Sequence, residues 1–266
     1  MFQLKLQNFR ELCACCCWIC VTLFALPMQI HAATPATTQS SREPMKAPIR
    51  IVLVGDSTVS EYPESRPDRG WGHYIGEGFK EGSVDVINLA SPGRSTKTFI
   101  AEGRWKKALE KKPDFVFIQF GHNDSHAPAN PESTDFATDY KENLRRYIDE
   151  TRASGATPVL ITPMVRRVFD DHGKIAENRS GTSRCLADYA QSMKEVAAEK
   201  KTALVDLYVS SLAYAEKLGP EASATLANKK GDVTHFNEKG ARAMAELILP
   251  ELSAAEPKLK EYFKSK

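Results

Sequence analysis

The chain has 266 residues, of which 42% are hydrophobic and 26% are charged. These fractions are ordinary for a globular protein, and they exclude a largely disordered chain or one built from many membrane spans. The formal net charge is only +2, and this near neutrality argues against a nucleic-acid partner, which would favour a strongly basic surface.

The first 32 residues have the features of a secretory signal peptide. Two cations, Lys5 and Arg10, precede an uncharged stretch from Cys13 to Met28, and Ala32 offers a small residue to a signal peptidase. That stretch is shorter than the roughly 20 apolar residues of a membrane-spanning helix, although a retained anchor is the alternative. We therefore expect cleavage after Ala32, a secreted or periplasmic location and no stable membrane association afterwards.

Cysteine placement supports this interpretation of the N-terminus. The chain has 6 cysteines, and all except Cys185 fall within its first twenty residues. A disulfide framework needs cysteines spread through the folded chain. We therefore expect no intramolecular disulfide in the mature protein and a buried Cys185. Residues 33–48, which are rich in Thr, Ser, Pro and Ala, predict a flexible N-terminal segment before a single domain over 49–266.

From residue 49 onwards, short apolar stretches alternate with segments of helical periodicity. Stretches rich in β-branched and aromatic residues predict five strands, over 49–54, 84–89, 115–120, 158–161 and 203–207. Helices are predicted near 71–81, 98–111, 136–154, 183–200 and 237–250. Apolar strands that alternate with helices are typical of a parallel sheet covered on both faces. We therefore predict one three-layer α/β/α domain.

Polar loops follow the first three predicted strands and precede the last helix. In an open parallel sheet, ligands bind beyond the carboxyl ends of the strands. The loops there are Gly55-Asp56-Ser57-Thr58, Ala90-Ser91-Pro92-Gly93-Arg94-Ser95 and Gly121-His122-Asn123-Asp124, and residues 231–237 precede the last helix. Each loop combines small residues with polar side chains, so this edge of the sheet is the candidate site.

A serine nucleophile is the chemistry that these loops best support. Ser57 follows a buried strand, and His235 is a candidate base whose imidazole Asp232 could orient. Attack on a carbonyl creates an oxyanion, for which the backbone N–H groups of Ser57 and Gly93 and the amide of Asn123 are candidate donors. Turns and helix caps explain each feature singly, but their occurrence together at one sheet edge favours catalysis.

These loops resemble the four motif blocks of the SGNH (GDSL-type) hydrolase superfamily, in the same order. The matching residues are Gly55-Asp56-Ser57, Gly93, Gly121-His122-Asn123-Asp124 and Asp232-Val233-Thr234-His235. The resemblance implies a flavodoxin-like, five-stranded sheet of order 2-1-3-4-5. It also implies a Ser57–His235–Asp232 mechanism that uses neither a metal nor a cofactor. His122 and His126 are spaced like a helical metal pair, but the nearby Pro128 argues against a helix there.

Within that superfamily the chain is similar to rhamnogalacturonan acetylesterases, which remove acetyl groups from a pectin backbone. The similarity is carried by Gly55-Asp56-Ser57-Thr58-Val59, Gly70-Trp71-Gly72, Gly93-Arg94-Ser95, Gln119 to Asp124 and Asp232 to Phe236. It implies an acetylated polysaccharide or oligosaccharide as the substrate. Two departures from the family pattern, Pro92 before Gly93 and the segment 173–184, concern the walls of the cleft rather than the chemistry.

Candidate substrate contacts follow from the charge of a pectic substrate. Its carboxylates would suit arginine, which binds them in bidentate geometry. Arg94, beside the candidate oxyanion glycine, is the strongest candidate, and His122 is a further possible contact. Trp71 could also line the site, although packing in the core is the more common use of tryptophan. Weaker candidates are Arg104, Arg166 and Arg167.

Three other functions stay open at this stage. They are an esterase for another acetylated glycan such as xylan, a lysophospholipase or thioesterase, and an inactive carbohydrate-binding relative. No long apolar insertion lies between the motifs to form a tunnel for a long acyl chain, and intact Ser57, Asp232 and His235 argue against a binding function alone. Since only a neutral imidazole accepts a proton, esterase activity is expected to fall at acidic pH.

Overall fold

Residues 48–176 and 185–265 are described by the computed structural model. The predicted signal peptide (1–32), nearly all of the predicted N-terminal segment (33–48) and the later part of segment 173–184 lie outside the described residues. The chain from Met45 to Lys266 forms one compact unit.

The predicted strands form one parallel sheet in the described part of the chain. They are β1 (Ile49–Gly55), β2 (Val84–Asn88), β3 (Phe115–Gln119), β4 (Thr157–Ile161) and β5 (Ala203–Val205). Their order is β2-β1-β3-β4-β5, which confirms the predicted 2-1-3-4-5 arrangement. β1 lies between β2 and β3, so that Val52 lies beside Ile87 of β2 and Val116 of β3. β3 is buried along its whole length.

Alternation along β1 divides the core between the two faces of the sheet, because successive side chains of a strand point in opposite directions. Ile51 and Leu53 pack on one face, in a cluster that also holds Trp71 and Phe236. Val52 and Val54 pack on the other face, whose largest side chains are Phe99, Trp105, Tyr140, Tyr147 and Tyr189. Helices cover both faces, and the predicted three-layer α/β/α architecture is confirmed.

Six α-helices are present in the described residues. They are α1 (Thr96–Ala101), α2 (Arg104–Leu109), α3 (Asp139–Ala153), α4 (Leu186–Glu199), α5 (Leu207–Ala224) and α6 (Glu238–Ala255). The single helix predicted near 98–111 is divided, because Gly103 adopts a left-handed φ of 70° between α1 and α2. The helix predicted near 71–81 is two short 3₁₀ turns, Trp71–His73 and Ile75–Gly78, in a glycine-rich segment that disfavours an α-helix.

The sequence prediction missed α5 altogether. Gly219 and Pro220 lie inside this helix, and Gly219 has a non-helical φ of 74°. Glycine and proline are the strongest local signals for a helix end, so the pattern is interrupted where the structure continues through a kink. Cys185 is 2% exposed, in agreement with its predicted burial. No helix within residues 48–176 and 185–265 has the length and apolarity required to cross a membrane.

Candidate active site

The turn that carries Ser57 begins where β1 ends. The Asp56 carboxylate accepts hydrogen bonds from the backbone N–H of Thr58 at 2.9 Å and from its hydroxyl at 2.7 Å, which closes the turn around Ser57. Gly55 permits a close approach between strands, since a Cβ there would lie 2.6 Å from the carbonyl oxygen of Gln119 in β3. The sequence thus places the Ser57 hydroxyl at the carboxyl edge of the sheet.

Ser57, His235 and Asp232 form a continuous chain of polar contacts. Oγ of Ser57 lies 3.0 Å from Nε2 of His235, and Nδ1 of His235 lies 3.0 Å from Oδ2 of Asp232. A carboxylate at Nδ1 favours the tautomer with its hydrogen on that nitrogen, which leaves Nε2 free to accept a proton. The structure therefore brings together the three residues predicted to form the catalytic triad.

Hydrogen bonds within the turn of residues 232–235 keep the carboxylate ionised. The second oxygen of Asp232 accepts the backbone N–H of Thr234 at 2.9 Å and that of His235 at 2.8 Å. Burial alone would raise the pKa of the Asp232 carboxyl, but these bonds and the contact with the His235 ring hold that pKa below its ordinary value. An anionic Asp232 suits the stabilisation of a cationic imidazole.

Two of the three candidate oxyanion donors, Gly93 and Asn123, lie on neighbouring loops. Gly93, between β2 and α1, has a left-handed φ of 78°, and a Cβ there would meet no atom within 4 Å, so space is open beside its backbone. Nδ2 of Asn123 donates to the carbonyl oxygen of Arg94 at 3.1 Å. That bond holds the Asn123 amide beside the turn that contains Gly93.

Two of the predicted substrate contacts are wrong. Trp71 is fully buried, and its indole N–H donates to Oε1 of Gln119 at 2.6 Å, so it packs in the core and offers no face to a sugar. His122, in the loop that follows β3, is 3% exposed, and both of its ring nitrogens are buried. Its ring contacts the carboxylate of Asp56 instead, with Nδ1 3.6 Å from Oδ2.

The predicted arginines have different environments. Arg94 is partly exposed and pairs with Glu102, 3.0 Å from Nε to Oε2, and Arg104 pairs with the same carboxylate at 2.6 Å. Arg166 donates to the hydroxyl of Ser125 at 2.8 Å. Arg167 is buried and therefore inaccessible to a polysaccharide, which corrects its interpretation as a carboxylate ligand. Arg94 stays the strongest candidate for contact with a substrate.

The sequence analysis missed two groups that support the Ser57 loop. The hydroxyl of Tyr62 donates to the carbonyl oxygen of Ser57 at 3.0 Å, and burial raises the pKa of this phenol to about 12. The buried Asp56–His122 pair lies beneath the site. Burial lowers the pKa of His122 despite its acidic neighbour, and so favours the neutral ring. Their only sequence signal is position, since Asp56 and His122 directly precede Ser57 and Asn123.

A metal ion has no evident set of ligands among residues 48–176 and 185–265, where no group of three or more His, Cys, Asp or Glu side chains could hold one. His126, which shares helical spacing with His122 in the sequence, pairs with Glu132, 2.6 Å from Nδ1 to Oε1.

Comparison with known proteins places the chain among esterases. The profile of the GDSL-like Lipase/Acylhydrolase family matches residues 53–243. The probable rhamnogalacturonan acetylesterase YesY of Bacillus subtilis is 38% identical over 203 residues, which cover 74% of this chain and 89% of YesY. The rhamnogalacturonan acetylesterase RhgT of the same organism is 35% identical over 237 residues, which cover 84% of this chain and 97% of RhgT.

A solved structure has the same fold. The crystal structure of Bacillus subtilis YxiM superposes with a TM-score of 0.65 at 32% sequence identity. The match covers 78% of this chain but only 56% of the YxiM chain.

Proposed function

Because this chain belongs to the GDSL-like lipase/acylhydrolase family, we propose that it is an exported serine esterase that removes O-acetyl groups from rhamnogalacturonan. Membership of this family makes it a carboxylic ester hydrolase. The observation that carries the mechanism is the contact of Ser57 with His235 and of His235 with Asp232, each at 3.0 Å. Support for the substrate comes from two relatives named as rhamnogalacturonan acetylesterases, one of them as probable.

The first half of the proposed reaction transfers the acetyl group to the enzyme. Oγ of Ser57 attacks the acetyl carbonyl carbon while Nε2 of His235 takes the hydroxyl proton, and Asp232 stabilises the imidazolium. The tetrahedral intermediate collapses when the C–O bond to the sugar breaks. The sugar oxygen leaves with the proton from His235, and the acetyl group stays on Ser57 as an ester.

Water completes the cycle. His235 takes a proton from a water molecule, whose oxygen attacks the acetyl ester, and returns the proton to Oγ as acetate leaves. Both tetrahedral intermediates carry an oxyanion, for which the N–H groups of Ser57 and Gly93 and the amide of Asn123 are the proposed donors. The Asn123 nitrogen carries two hydrogens. One is engaged by the Arg94 carbonyl, and the other is available for the oxyanion.

Acetate release from acetylated rhamnogalacturonan tests this proposal. Wild type should release acetate, and Ser57→Ala should lower kcat by on the order of 10⁶-fold. Ser210→Ala, which changes a serine in α5, is the matched control and should match wild type. The rates at which wild type hydrolyses acetylated xylan and a long-chain acyl ester are measured under the same conditions. Faster turnover of acetylated xylan would overturn the substrate assignment, and equal rates for wild type and Ser57→Ala would overturn the mechanism.

Arg94 is the proposed contact for a galacturonate carboxylate. Its Nε is engaged by Glu102, and its Nη1 donates to the carbonyl oxygen of Pro92 at 2.8 Å, which leaves Nη2 for a ligand. Arg94→Ala should raise KM for acetylated rhamnogalacturonan and leave KM for a small neutral acetyl ester unchanged. An equal rise in both KM values would contradict carboxylate recognition.

Export is part of the proposal and rests on the charge and hydrophobicity of residues 1–32. Expression of the full chain in a bacterium with a secretory pathway should yield protein outside the cytoplasm that begins at Ala33. Mass spectrometry of the purified protein measures that N-terminus. An intact Met1 on an active cytoplasmic protein would refute export.

A further inference from the structure

Arg167 is a buried cation directly behind the turn that holds His235. Its side chain is 6% exposed, and its guanidinium carbon lies 4.4 Å from the centre of the Phe236 ring. No carboxylate of the described residues forms an ion pair with it, and Nε and Nη1 are buried without a hydrogen-bond partner. Burial lowers the pKa of Arg167 to about 10, partly offset by the charge of Asp232, so the group is a cation at neutral pH.

Three backbone carbonyls of the turn accept hydrogen bonds from this one residue. Nη2 of Arg167 donates to the carbonyl oxygen of Asp232 at 3.1 Å and to that of His235 at 2.8 Å. Its backbone N–H donates to the carbonyl oxygen of Val233 at 2.9 Å. Arg167 therefore holds both ends and the middle of residues 232–235. The side-chain bonds of Asp232 stabilise the same turn from within.

Burial of an arginine at this position costs free energy of desolvation. A buried cation without a carboxylate partner loses hydration that hydrogen bonds to carbonyls only partly replace. A neutral amide could bond the same carbonyls without that cost. The presence of a charged group here points to a use for its charge as well as for its hydrogen bonds.

The charge acts on a small set of neighbours. Asp232 and His235 lie on the turn itself, and Tyr214 of α5 lines the small apolar cavity that also borders Arg167. Arg166 precedes Arg167 in the chain, and both it and His235 lower the pKa of His122 electrostatically, which puts His122 and its partner Asp56 near the base. A buried cation in this set favours the anionic form of Asp232, the carboxylate that orients His235.

We propose that Arg167 is a positioning residue for the base, which aligns His235 with Ser57 by holding the turn of residues 232–235. The proposal rests on the proposed serine-esterase mechanism. It gives Arg167 no contact with the substrate. Loss of the residue should therefore lower kcat and leave KM nearly constant.

Two substitutions separate the hydrogen bonds from the charge. Arg167→Met removes both, and Arg167→Lys keeps a cation but loses the fork that reaches two carbonyls. With a small acetyl ester as substrate, Arg167→Met should lower kcat by about 10- to 100-fold, because misaligned catalytic groups cost rates of this order. KM should stay at the wild-type value. Arg167→Lys should lower kcat less, because its ammonium can still donate to one of the two carbonyls.

Arg152 provides the matched control. Its Nη2 also donates to two backbone carbonyl oxygens, those of Lys200 at 2.9 Å and Lys201 at 3.2 Å. These two residues precede β5, so they lie at the amino ends of the strands, whereas the candidate site lies at the carboxyl ends. Arg152→Met and Arg152→Lys should leave kcat unchanged. An equal loss of kcat in Arg152→Met and Arg167→Met would show a general loss of structure and would overturn the proposal.

The rate at which a serine-reactive phosphonate labels Ser57 provides a readout that needs no turnover, because this reaction also depends on the contact of Ser57 with His235. The rate should fall in Arg167→Met and fall less in Arg167→Lys. An unchanged labelling rate in Arg167→Met overturns the proposal. If wild type is labelled but hydrolyses no acetyl ester, the proposed function fails, and the labelling still tests the action of Arg167 on His235. If Arg167→Met does not fold, a lowered kcat at unchanged KM in Arg167→Lys supports the positioning role, and a wild-type kcat in that folded variant contradicts it.

Discussion

Thr96 and Asp124 are joined by hydrogen bonds in the interior of the protein. The backbone N–H of Thr96 lies 3.1 and 3.2 Å from the two carboxylate oxygens of Asp124, and its hydroxyl donates to Oδ1 at 2.5 Å. Thr96 begins α1 directly after the turn of Gly93, and Asp124 follows Asn123. This contact therefore joins the loops that carry two of the proposed oxyanion donors, Gly93 and Asn123.

Asp124→Asn should remove a pH dependence of stability. Burial raises the pKa of Asp124 to about 7, although Thr96 and Thr134 donate to it, whereas its unfolded value is near 3.8. The folded state thus keeps a proton that the unfolded state releases. This stabilisation is complete below about pH 4 and is lost as pH rises through about 7.

Urea unfolding of wild type and Asp124→Asn from pH 4.5 to pH 8 measures this effect. The free energy of unfolding of wild type relative to the variant should fall by about 3 kcal/mol over the range. Asp139→Asn, at the exposed start of α3, is the control and should follow wild type. A constant difference between wild type and Asp124→Asn would contradict the raised pKa.

Asn123→Ala should lower kcat strongly and lower the free energy of unfolding only slightly. Loss of one oxyanion donor costs about 2.7–4 kcal/mol of transition-state stabilisation, which is a 10²- to 10³-fold fall in kcat. The variant also loses one bond to the Arg94 carbonyl, worth about 1 kcal/mol of folding stability. Steady-state kinetics and thermal unfolding measure the two effects. The exposed Asn130 of the same loop provides the control Asn130→Ala, and equal kcat values for the two variants would exclude Asn123 as a donor.

Gly93→Ala tests the open space beside the second donor. The left-handed φ of 78° costs alanine about 1–2 kcal/mol, but the added methyl meets no atom within 4 Å. We expect a small loss of stability and a large loss of kcat, because the methyl would occupy space needed by the substrate. Wild-type kcat in a folded Gly93→Ala protein would place the oxyanion elsewhere.

Gly121→Ala should lower the stability of the fold more than Gly93→Ala does. Its φ is 146°, and a Cβ there would lie 2.7 Å from Cγ of Pro163, so the backbone must move. Stability should fall by more than in Gly93→Ala, and kcat should fall through displacement of Asn123. Thermal unfolding of both variants in parallel checks the order, and a more stable Gly121→Ala would contradict it.

Trp71→Phe distinguishes core packing from substrate contact. The change leaves Oε1 of the buried Gln119 without the indole N–H, which should cost about 1–3 kcal/mol of stability. KM for acetylated rhamnogalacturonan should stay at the wild-type value because Trp71 is fully buried. Urea unfolding and steady-state kinetics give both quantities. A raised KM at unchanged stability would restore Trp71 as a substrate contact.

Most of the candidate site could be predicted because its residues belong to short local patterns. Ser57 lies two residues after β1, Asn123 lies in the loop after β3, and Asp232 lies three residues before His235. The carboxyl ends of parallel strands lie at one edge of a sheet. Residues that follow different strands in the chain therefore lie close together in space. The α5 helix was missed for a related reason, since Gly219 and Pro220 are local signals for a helix end that the surrounding packing overrides.

The sequence by itself determined the α/β architecture, the identity of the candidate nucleophile, base and oxyanion donors, and the edge of the sheet where they meet. Only the tertiary structure decided which neighbours of these motifs face the substrate and which support the site from below. A side chain with a polar tip can contact a substrate or support the site from the interior. The structure shows that three such side chains are buried in the interior: Trp71, His122 and Arg167. Burial depends on contacts between segments far apart in the chain, such as Arg167 with Asp232 and His235, and no local pattern encodes such contacts.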